Sequence, residues 1–233
     1  MTKQKILVVE DDKHISKLVK YNLEKAGFDC NVSITGEDAL AVLAHQSYDL
    51  VILDIMLPKI DGFETCRQIR QDNKLANIPI IMVTAKGEEV DKVVGFELGS
   101  DDYVVKPFSP RELILRVKAI LKRGKAKENT EENEIISSSN ISIDIARHQV
   151  KIDEKEVILT QIEFNLLVTL IKRQGRVQSR DRLLKDVWDM DSDVTTRTID
   201  THIKRLREKL GKSGKLINTV RGIGYKFSEE DQV

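Results

Sequence analysis

The chain has 233 residues, 40% of them hydrophobic, and its 38 basic side chains equal its 38 acidic ones. This length fits one or two domains with ordinary cores, and the balanced total charge indicates no particular partner. No apolar stretch approaches the roughly 18 residues that a membrane-spanning helix needs, and the charged start leads into only four apolar residues before Glu10, so we expect no signal peptide, no membrane contact and a cytoplasmic location.

Apolar runs and amphipathic segments alternate over the first half of the chain. Strands are predicted at about 5–9, 29–33, 50–54, 80–84 and 103–105, and helices at about 13–26, 36–44, 62–72, 90–98 and 109–123. Five strand–helix units with short right-handed crossovers predict an α/β fold, a doubly wound five-stranded parallel sheet. In the flavodoxin-like order 2-1-3-4-5, the first and third strands lie side by side at the switch point.

Acidic residues stand at the ends of these two strands. The first strand leads into Glu10 and Asp11, and the third ends at Asp54. Like charges that lie close together raise one another's pKa, and a hard divalent cation with oxygen ligands removes that conflict. The pattern predicts a site for Mg²⁺. Taken one at a time, acids after strands also simply begin loops, which is the alternative interpretation.

Two further polar residues end strands at the same edge of the sheet. Thr84 ends the fourth strand with a hydroxyl, and Lys106 follows the fifth with an ammonium. A phosphoryl group on Asp54 needs a cation, a hydroxyl donor and a positive point charge, and all three are present. The set therefore predicts Mg²⁺-assisted phosphoryl transfer to Asp54.

The complete set resembles the CheY-like receiver domain of two-component response regulators over residues 1–124. Its motifs are Glu10-Asp11-Asp12, Asp54-x-x-x-Pro58-x-x-Asp61-Gly62, Thr84-Ala85 and Lys106-Pro107-Phe108. The resemblance implies that Asp54 accepts phosphate from a sensor histidine kinase. It also implies roles for the neighbouring residues: Mg²⁺ ligation by Glu10, Asp11, Asp54 and the backbone carbonyl of Met56, phosphoryl binding by Thr84 and Lys106, switching by Thr84 and Tyr103, and a cis Lys106–Pro107 bond.

Phosphorylation is expected to dimerise the receivers through the face formed by helix 90–98, strand 103–105 and helix 109–123. Mixed charges on this face are able to pair across a two-fold axis. They are Lys92, Asp101, Asp102, Glu112, Arg116, Lys118 and Arg123. The family resemblance implies the pairs Lys92–Glu112 and Asp102–Arg116, with affinity supplied by apolar contacts because exposed ion pairs contribute only about 0–1 kcal/mol each.

The composition changes after residue 124. Residues 125–136 are charged and poor in apolar side chains, which predicts a flexible linker to a second domain at 137–229. That domain begins with alternating apolar residues typical of short antiparallel strands. Thr160 and Glu163 have capping-box spacing ahead of a helix, two more helices follow, and Ile217–Phe227 predicts a terminal hairpin that turns near Arg221.

The last of these helices is amphipathic and basic. Its inward stripe is Ile199, Ile203, Leu206 and Leu210, and between residues 195 and 226 nine basic side chains stand against two acidic ones. Concentrated positive charge on an exposed helix and a hairpin tip is typical of nucleic-acid binding, with the helix in a major groove and Arg221 in a minor groove or on its phosphates. A solvated helix face without a ligand is the alternative.

This second half resembles the winged helix-turn-helix (α+β) effector domain of the OmpR/PhoB family. The motifs are Leu159-Thr160-x-x-Glu163-Phe164-x-Leu166-Leu167, Arg197-Thr198-Ile199-Asp200-x-His202-Ile203-x-Arg205-Leu206-Arg207 and Thr219-Val220-Arg221-Gly222-x-Gly224-Tyr225. The resemblance implies contacts to promoter DNA from Arg197, Thr198, Asp200, His202, Lys204, Arg205, Arg207, Thr219 and Arg221. It also implies contact between RNA polymerase and the loop 188–194, where Asp189 replaces the glycine that is frequent in the family.

Several alternatives remain at this point. His202 lies at the edge of the inward stripe, so helix packing competes with a phosphate contact. Asp189, Asp191 and Asp193 also fit ordinary loop acids. An Asp-nucleophile phosphatase usually has a second acid two residues after its nucleophile, but Met56 stands there. A regulator independent of phosphorylation is the other alternative. We expect a phosphorylation-switched transcription factor that is not an enzyme.

Overall fold

The computed structural model describes residues 3–85, 98–125, 135–188 and 197–228, without the side chains of residues 123–125, Trp188 and Arg197. These residues form two compact units that divide between Arg123 and Gly124. Most of the predicted helix at 90–98, most of the predicted linker and most of the loop at 188–194 lie outside the described residues.

The first unit is built on a parallel sheet. Its strands are β1 (Lys5–Val9), β2 (Asp29–Ser33), β3 (Leu50–Asp54), β4 (Ile80–Ala85) and β5 (Asp102–Lys106), in the order β2-β1-β3-β4-β5. The described helices are α1 (Lys13–Lys25), α2 (Gly36–His45), α3 (Gly62–Gln71) and α4 (Pro110–Lys125). The predicted five-stranded, doubly wound sheet and its strand order are confirmed.

The central strands are continuous apolar runs because both faces of a parallel sheet are covered. Every residue of β3 is buried, and so are the first five residues of β4. Helix starts are fixed locally: the side chain of Asp12 accepts hydrogen bonds at the start of α1, that of Thr35 at the start of α2 and that of Asp61 at the start of α3. Local caps therefore set where each of these three helices begins.

The segment after β3 returns close to the strand that it leaves. The backbone N–H of Gly62 donates to the carbonyl of Ile55 at 2.9 Å. A β-carbon on Gly62 would lie 2.1 Å from the carbonyl oxygen of Asp54, a distance no side chain tolerates. Glycine at this position therefore lets helix α3 begin directly against the end of β3.

The second unit combines two antiparallel sheets with three α-helices among its described residues. Its four-stranded sheet contains β6 (Ile135–Ser138), β7 (Ile141–Asp144), β8 (Gln149–Ile152) and β9 (Lys155–Val157) in chain order. The helices are α5 (Gln161–Lys172), α6 (Arg180–Trp188) and α7 (Arg197–Leu210), followed by a 3₁₀ helix (Gly211–Leu216). The three-stranded sheet has the order β10 (Gln178–Ser179), β12 (Gly224–Phe227), β11 (Ile217–Val220).

The expected antiparallel strands, capping box and terminal hairpin are present in this unit. The Thr160 hydroxyl accepts from the backbone N–H of Glu163, and the Glu163 carboxylate accepts from that of Thr160. The four-stranded sheet begins at Ile135, two residues before the expected start of the domain, and α4 continues to Lys125. Within the residues that the structure describes, no helix combines the length and apolar content needed to cross a membrane.

Candidate metal centre and nucleic-acid interface

Three acidic side chains converge at the carboxyl ends of β1 and β3. These strands are neighbours, with Val9 paired to Leu53, so the residues that follow them meet. Glu10, Asp11 and Asp54 each offer a carboxylate oxygen, and these oxygens lie within 4.8 Å of one another. Glu10 and Asp54 are buried, whereas Asp11 is exposed. The structure thus brings together the three predicted carboxylate ligands.

The ammonium of Lys106 bridges two of these acids. Its Nζ lies 2.8 Å from a carboxylate oxygen of Glu10 and 2.9 Å from one of Asp54. Burial raises the pKa of Glu10, the bond from Lys106 lowers it, and the net direction is upward. Burial lowers the pKa of Lys106, but its hydrogen bonds to Glu10 and Asp54 outweigh this and raise it overall. Lys106 is therefore a charged internal counterion for the acids.

Thr84 and Tyr103 occupy the neighbouring strands. Thr84 is buried in β4, and its hydroxyl donates to the carbonyl of Ala85 at 3.2 Å. Tyr103 pairs with Met82 in the sheet register, and its side chain is buried. Met56 is exposed. The Lys106–Pro107 bond is cis, as expected.

The donor set fits Mg²⁺. All three converging side chains offer hard carboxylate oxygens, which this ion prefers. Glu10 and Asp54 are both buried, so their negative charges lie close together with little solvent around them, and Lys106 supplies only one positive charge. A divalent cation would supply the missing compensation, and Glu10, Asp11 and Asp54 would hold it.

Two charged residues of the predicted dimer face, one on β5 and one on α4, are buried and not exposed. Asp102 and Arg116 are both buried and pair with each other within one chain at 3.1 Å. Arg116 also bonds to Glu112, one helical turn earlier, at 3.0 Å. The Arg116 guanidinium is therefore bound by side chains of its own chain, and the pairing of Asp102 with Arg116 across a dimer stays a prediction.

Asp101, another residue of the predicted dimer face, is also paired within its own chain. Its side chain is buried and accepts from the guanidinium of Arg70 at 3.0 Å and from the backbone N–H of Ile80 at 2.8 Å. These contacts fix α3 to the start of β4 and turn Asp101 away from the predicted face. Glu112 and Lys118 on α4 are exposed. Lys92 and the side chain of Arg123, the remaining members of the predicted face, lie outside the described residues.

The predicted DNA contacts divide into exposed and inward side chains. Lys204 on α7 and both Thr219 and Arg221 on the hairpin are exposed. Thr198 and His202 are buried, with 5% and 1% of their surface accessible. Contact of Thr198 and His202 with DNA stays a prediction. In this structure the two side chains extend the inward face of α7 beyond its four apolar residues.

The remaining predicted contacts are held by neighbouring side chains. Arg205 is mostly buried, and its Nε lies 3.8 Å from the carboxylate of Glu163. Arg207 donates to the carbonyl of Ile217 and, at 2.8 Å, to the Thr219 hydroxyl. Asp200 accepts from Arg180 at 2.7 Å and from the Tyr225 hydroxyl at 2.6 Å. The side chain of Arg197 lies outside the described part of the chain.

The carboxylate of Glu163 is a structural element that sequence reasoning recognised only as a helix cap. It is fully buried and accepts from the Lys209 ammonium at 2.6 Å, which connects α5 to the last turn of α7. Burial raises the pKa of Glu163, but the charge and hydrogen bond of Lys209, the backbone N–H of Thr160 and the charge of Arg205 together outweigh this and lower it overall. Arg180 and Tyr225 were also missed as site residues, because neither belongs to the apolar stripe nor to the outward face of α7.

The chain is similar to known proteins over nearly its whole length. The model of the response regulator receiver domain matches residues 6–118, and that of the transcriptional regulatory protein C-terminal domain matches residues 154–227. The transcriptional regulatory protein ResD of Bacillus subtilis is 47% identical over 96% of this chain and 95% of its own length.

Two further relatives have similar coverage. The alkaline phosphatase synthesis transcriptional regulatory protein PhoP of B. subtilis is 44% identical over 97% of both chains. Among solved structures, the response regulator DrrB, a Thermotoga maritima OmpR/PhoB homologue, is 33% identical with a TM-score of 0.51, over 98% of this chain and all of its own. Similarity to regulators in both sequence and structure thus spans both units.

Proposed function

Because this chain belongs to the OmpR/PhoB family of two-component response regulators, we propose that a sensor histidine kinase phosphorylates it on Asp54, and that the phosphorylated chain dimerises and binds promoter DNA to regulate transcription. The observation that carries this proposal is the Asp54 pocket. A buried carboxylate, two further acids and one bridging lysine meet at a single sheet edge.

The residues of the pocket suit transfer of a phosphoryl group to Asp54. One carboxylate oxygen of Asp54 forms the new bond to phosphorus as the bond to the donor breaks, and the donor leaves with that electron pair. Mg²⁺, when bound, offsets the negative charge of the phosphoryl oxygens. Lys106 then exchanges its bond to the Asp54 carboxylate for one to a phosphoryl oxygen, and the Thr84 hydroxyl donates to another. The chain undergoes self-catalysed modification and turns over no external substrate.

The simplest test measures whether phosphorylation controls DNA binding. The full chain is incubated with acetyl phosphate and Mg²⁺ and titrated onto duplexes selected from a random pool. We expect a gain of one phosphoryl group by intact mass and tighter binding to the selected duplexes. Equal binding with and without the phosphodonor would favour a regulator that works independently of phosphorylation.

The proposed dimer face has an apolar centre between charges. On α4, Leu115 has 52% of its surface exposed and stands between Glu112 and Lys118, three residues from each. An exposed leucine flanked by opposite charges is suited to an isologous contact with a second copy. To change the dimer from rare to dominant, phosphorylation must supply a bias of about 5.5 kcal/mol.

Leu115→Glu should therefore leave the phosphorylated chain monomeric. The substitution removes the apolar contact and places two like charges across the two-fold axis. Sedimentation of the phosphorylated variant measures the result. Leu18→Glu, which alters a similarly exposed leucine on α1, is the matched control and should retain the dimer. A dimer of undiminished stability in Leu115→Glu would exclude this face.

We expect the exposed residues of the hairpin and of α7 to make different contacts with DNA, Arg221 with a phosphate and Lys204 with a base edge. Arg221→Ala should weaken binding to all sequences and lower the slope of log K against log salt concentration by about one, because it removes one phosphate contact. Lys204→Ala should instead change the preferred sequence if Lys204 binds a base edge. Titrations at several salt concentrations, combined with selection from random duplexes, distinguish the two. An Arg221→Ala slope equal to that of the parent chain would contradict the proposed phosphate contact.

The proposed contact between RNA polymerase and the loop at 188–194 rests on the family resemblance. Asp189 stands there in place of the frequent glycine. Reaction of a cysteine introduced at this position with a crosslinker in a promoter complex would identify the polymerase subunit that it contacts.

A further inference from the structure

The segment that connects β3 to α3, residues 55–61, contains a strained backbone position. This segment also carries Met56, whose backbone carbonyl is an expected Mg²⁺ ligand. Lys59 has a φ of 67°, in the left-handed region that residues with a side chain rarely adopt. The segment closes on itself, because the backbone N–H of Gly62 donates to the carbonyl of Ile55 at 2.9 Å. Strain of this kind persists only where the surrounding contacts impose it.

The first turn of α2 packs against this β3–α3 segment. A β-carbon on Gly36, the first residue of α2, would lie 2.7 Å from Cγ1 of Ile60 and 2.1 Å from Oγ1 of Thr65 on α3. Both distances are shorter than any real side-chain contact, so only glycine allows α2 to approach this closely. Thr65 is itself held in place, since its hydroxyl donates to the carbonyl of Asp61 at 2.8 Å. The start of α2 therefore forms one wall of the segment.

Glu37, the second residue of α2, interacts with the strained part of the segment. Its own backbone N–H lowers the pKa of its carboxylate, and the charge of Lys59, the Thr35 hydroxyl and the backbone N–H of Ile60 help to outweigh the effect of burial. Among the residues that the structure describes, Oε2 of Glu37 is buried and accepts no hydrogen bond. A buried carboxylate oxygen is costly unless a nearby charge compensates it, and Lys59 carries that charge. Glu37 thus acts on Lys59, the strained residue, and on its neighbour Ile60.

We propose that Glu37 is a positioning residue for the Mg²⁺ site, because it holds the β3–α3 segment in the conformation in which the carbonyl of Met56 serves as a ligand. This inference rests on the proposed function and adds a residue to it. Glu37 is not one of the three carboxylates that converge at the sheet edge, so its effect is on the backbone ligand. Mg²⁺ demands nearly ideal octahedral coordination, whereas Ca²⁺ accepts longer and less regular coordination. The selectivity between the two ions therefore reports on the position of the segment.

The test measures binding of Mg²⁺ and of Ca²⁺ to the full chain by isothermal titration calorimetry, without a phosphodonor. Glu37→Gln keeps the shape of the side chain and removes its charge. This substitution should weaken Mg²⁺ binding about tenfold, as loss of a residue that orients a metal ligand does. It should weaken Ca²⁺ binding much less, because the larger ion tolerates a displaced carbonyl.

Asp38→Asn is the matched control, because it removes an equal charge from an exposed residue in the same turn of α2. It should change both affinities by the same small factor, since only long-range attraction is lost. Thermal unfolding without metal should show a similar, small loss of stability in both variants, because each loses an acid near the start of the helix.

Three outcomes would contradict the positioning role while leaving the proposed function intact. They are an equal loss of Mg²⁺ and Ca²⁺ affinity in Glu37→Gln, a Mg²⁺ affinity equal to that of Asp38→Asn, and a loss of stability with the ion selectivity of the parent chain. Absence of Mg²⁺ binding by the parent chain would overturn the proposed function together with this inference.

Discussion

Asp54→Asn should abolish phosphorylation by a small phosphodonor, with no gain of a phosphoryl group by intact mass. The amide of asparagine is not a nucleophile for phosphorus, and the other two acids of the cluster, Glu10 and Asp11, follow a different strand. Removal of Mg²⁺ with a chelator should give the same result in the parent chain, because the buried carboxylates repel the incoming phosphate unless a cation compensates them.

Asp12→Asn is the control for this experiment. Asp12 belongs to the same acidic motif, but its side chain caps α1 by accepting from the backbone N–H groups of His14 and Ile15. Asparagine is an equally good cap, so the fold should be preserved and labelling should continue. Undiminished labelling of Asp54→Asn, or loss of labelling in Asp12→Asn alone, would show that the phosphoacceptor has been misassigned.

Arg116→Met should destabilise the first unit by about 3–5 kcal/mol, because it leaves the Asp102 carboxylate buried without its cation. The double variant Arg116→Met/Asp102→Asn should recover much of this loss, since the stranded charge is then also removed. The same burial makes Arg116 a poor position for testing dimerisation. A charge reversal there would disturb folding, whereas Leu115→Glu changes an exposed residue.

Chemical denaturation measures this stability if the two units are separated spectroscopically. The chain has a single tryptophan, Trp188, and it lies in the second unit. A transition seen by circular dichroism but not by tryptophan fluorescence therefore belongs to the first unit. If Arg116→Met shifts neither transition, the buried pair contributes nothing to stability, contrary to expectation.

The convergence of the acidic side chains and Lys106 was predictable from the sequence for a geometric reason. Each of these residues follows an apolar run, and the carboxyl ends of parallel strands meet at one edge of a sheet whose order is strongly restricted. Glu10, Asp54 and Lys106 therefore come together once the strands are identified. No side-chain contact had to be known in advance.

The charged faces were harder to predict, because burial of a charged residue depends on partners that are distant in sequence. Asp101 is buried because Arg70 lies 31 positions earlier in the chain and reaches it. Thr198 and His202 lie four residues apart at the edge of the apolar stripe of α7, and this helical spacing was a signal that both are buried. The apolar residues alone, however, do not show how many neighbouring positions of the helix are also buried. The DNA contact of Asp200 was expected from the family resemblance, whereas its bonds to Arg180 and Tyr225 were not predicted, because those residues belong to other elements.

The ion pair between Glu163 and Lys209 limits how the sequence of α7 can be redesigned. Because the buried carboxylate that caps α5 also binds Lys209 at the end of α7, the sequence of α7 cannot be replaced independently of α5. Redesign of operator preference should retain Lys209 and vary Thr201, Lys204 and Glu208, whose side chains are not in the buried face. A chimaera in which α7 is replaced by a foreign helix without a cation at position 209 should be destabilised, because the Glu163 carboxylate would be buried without its partner.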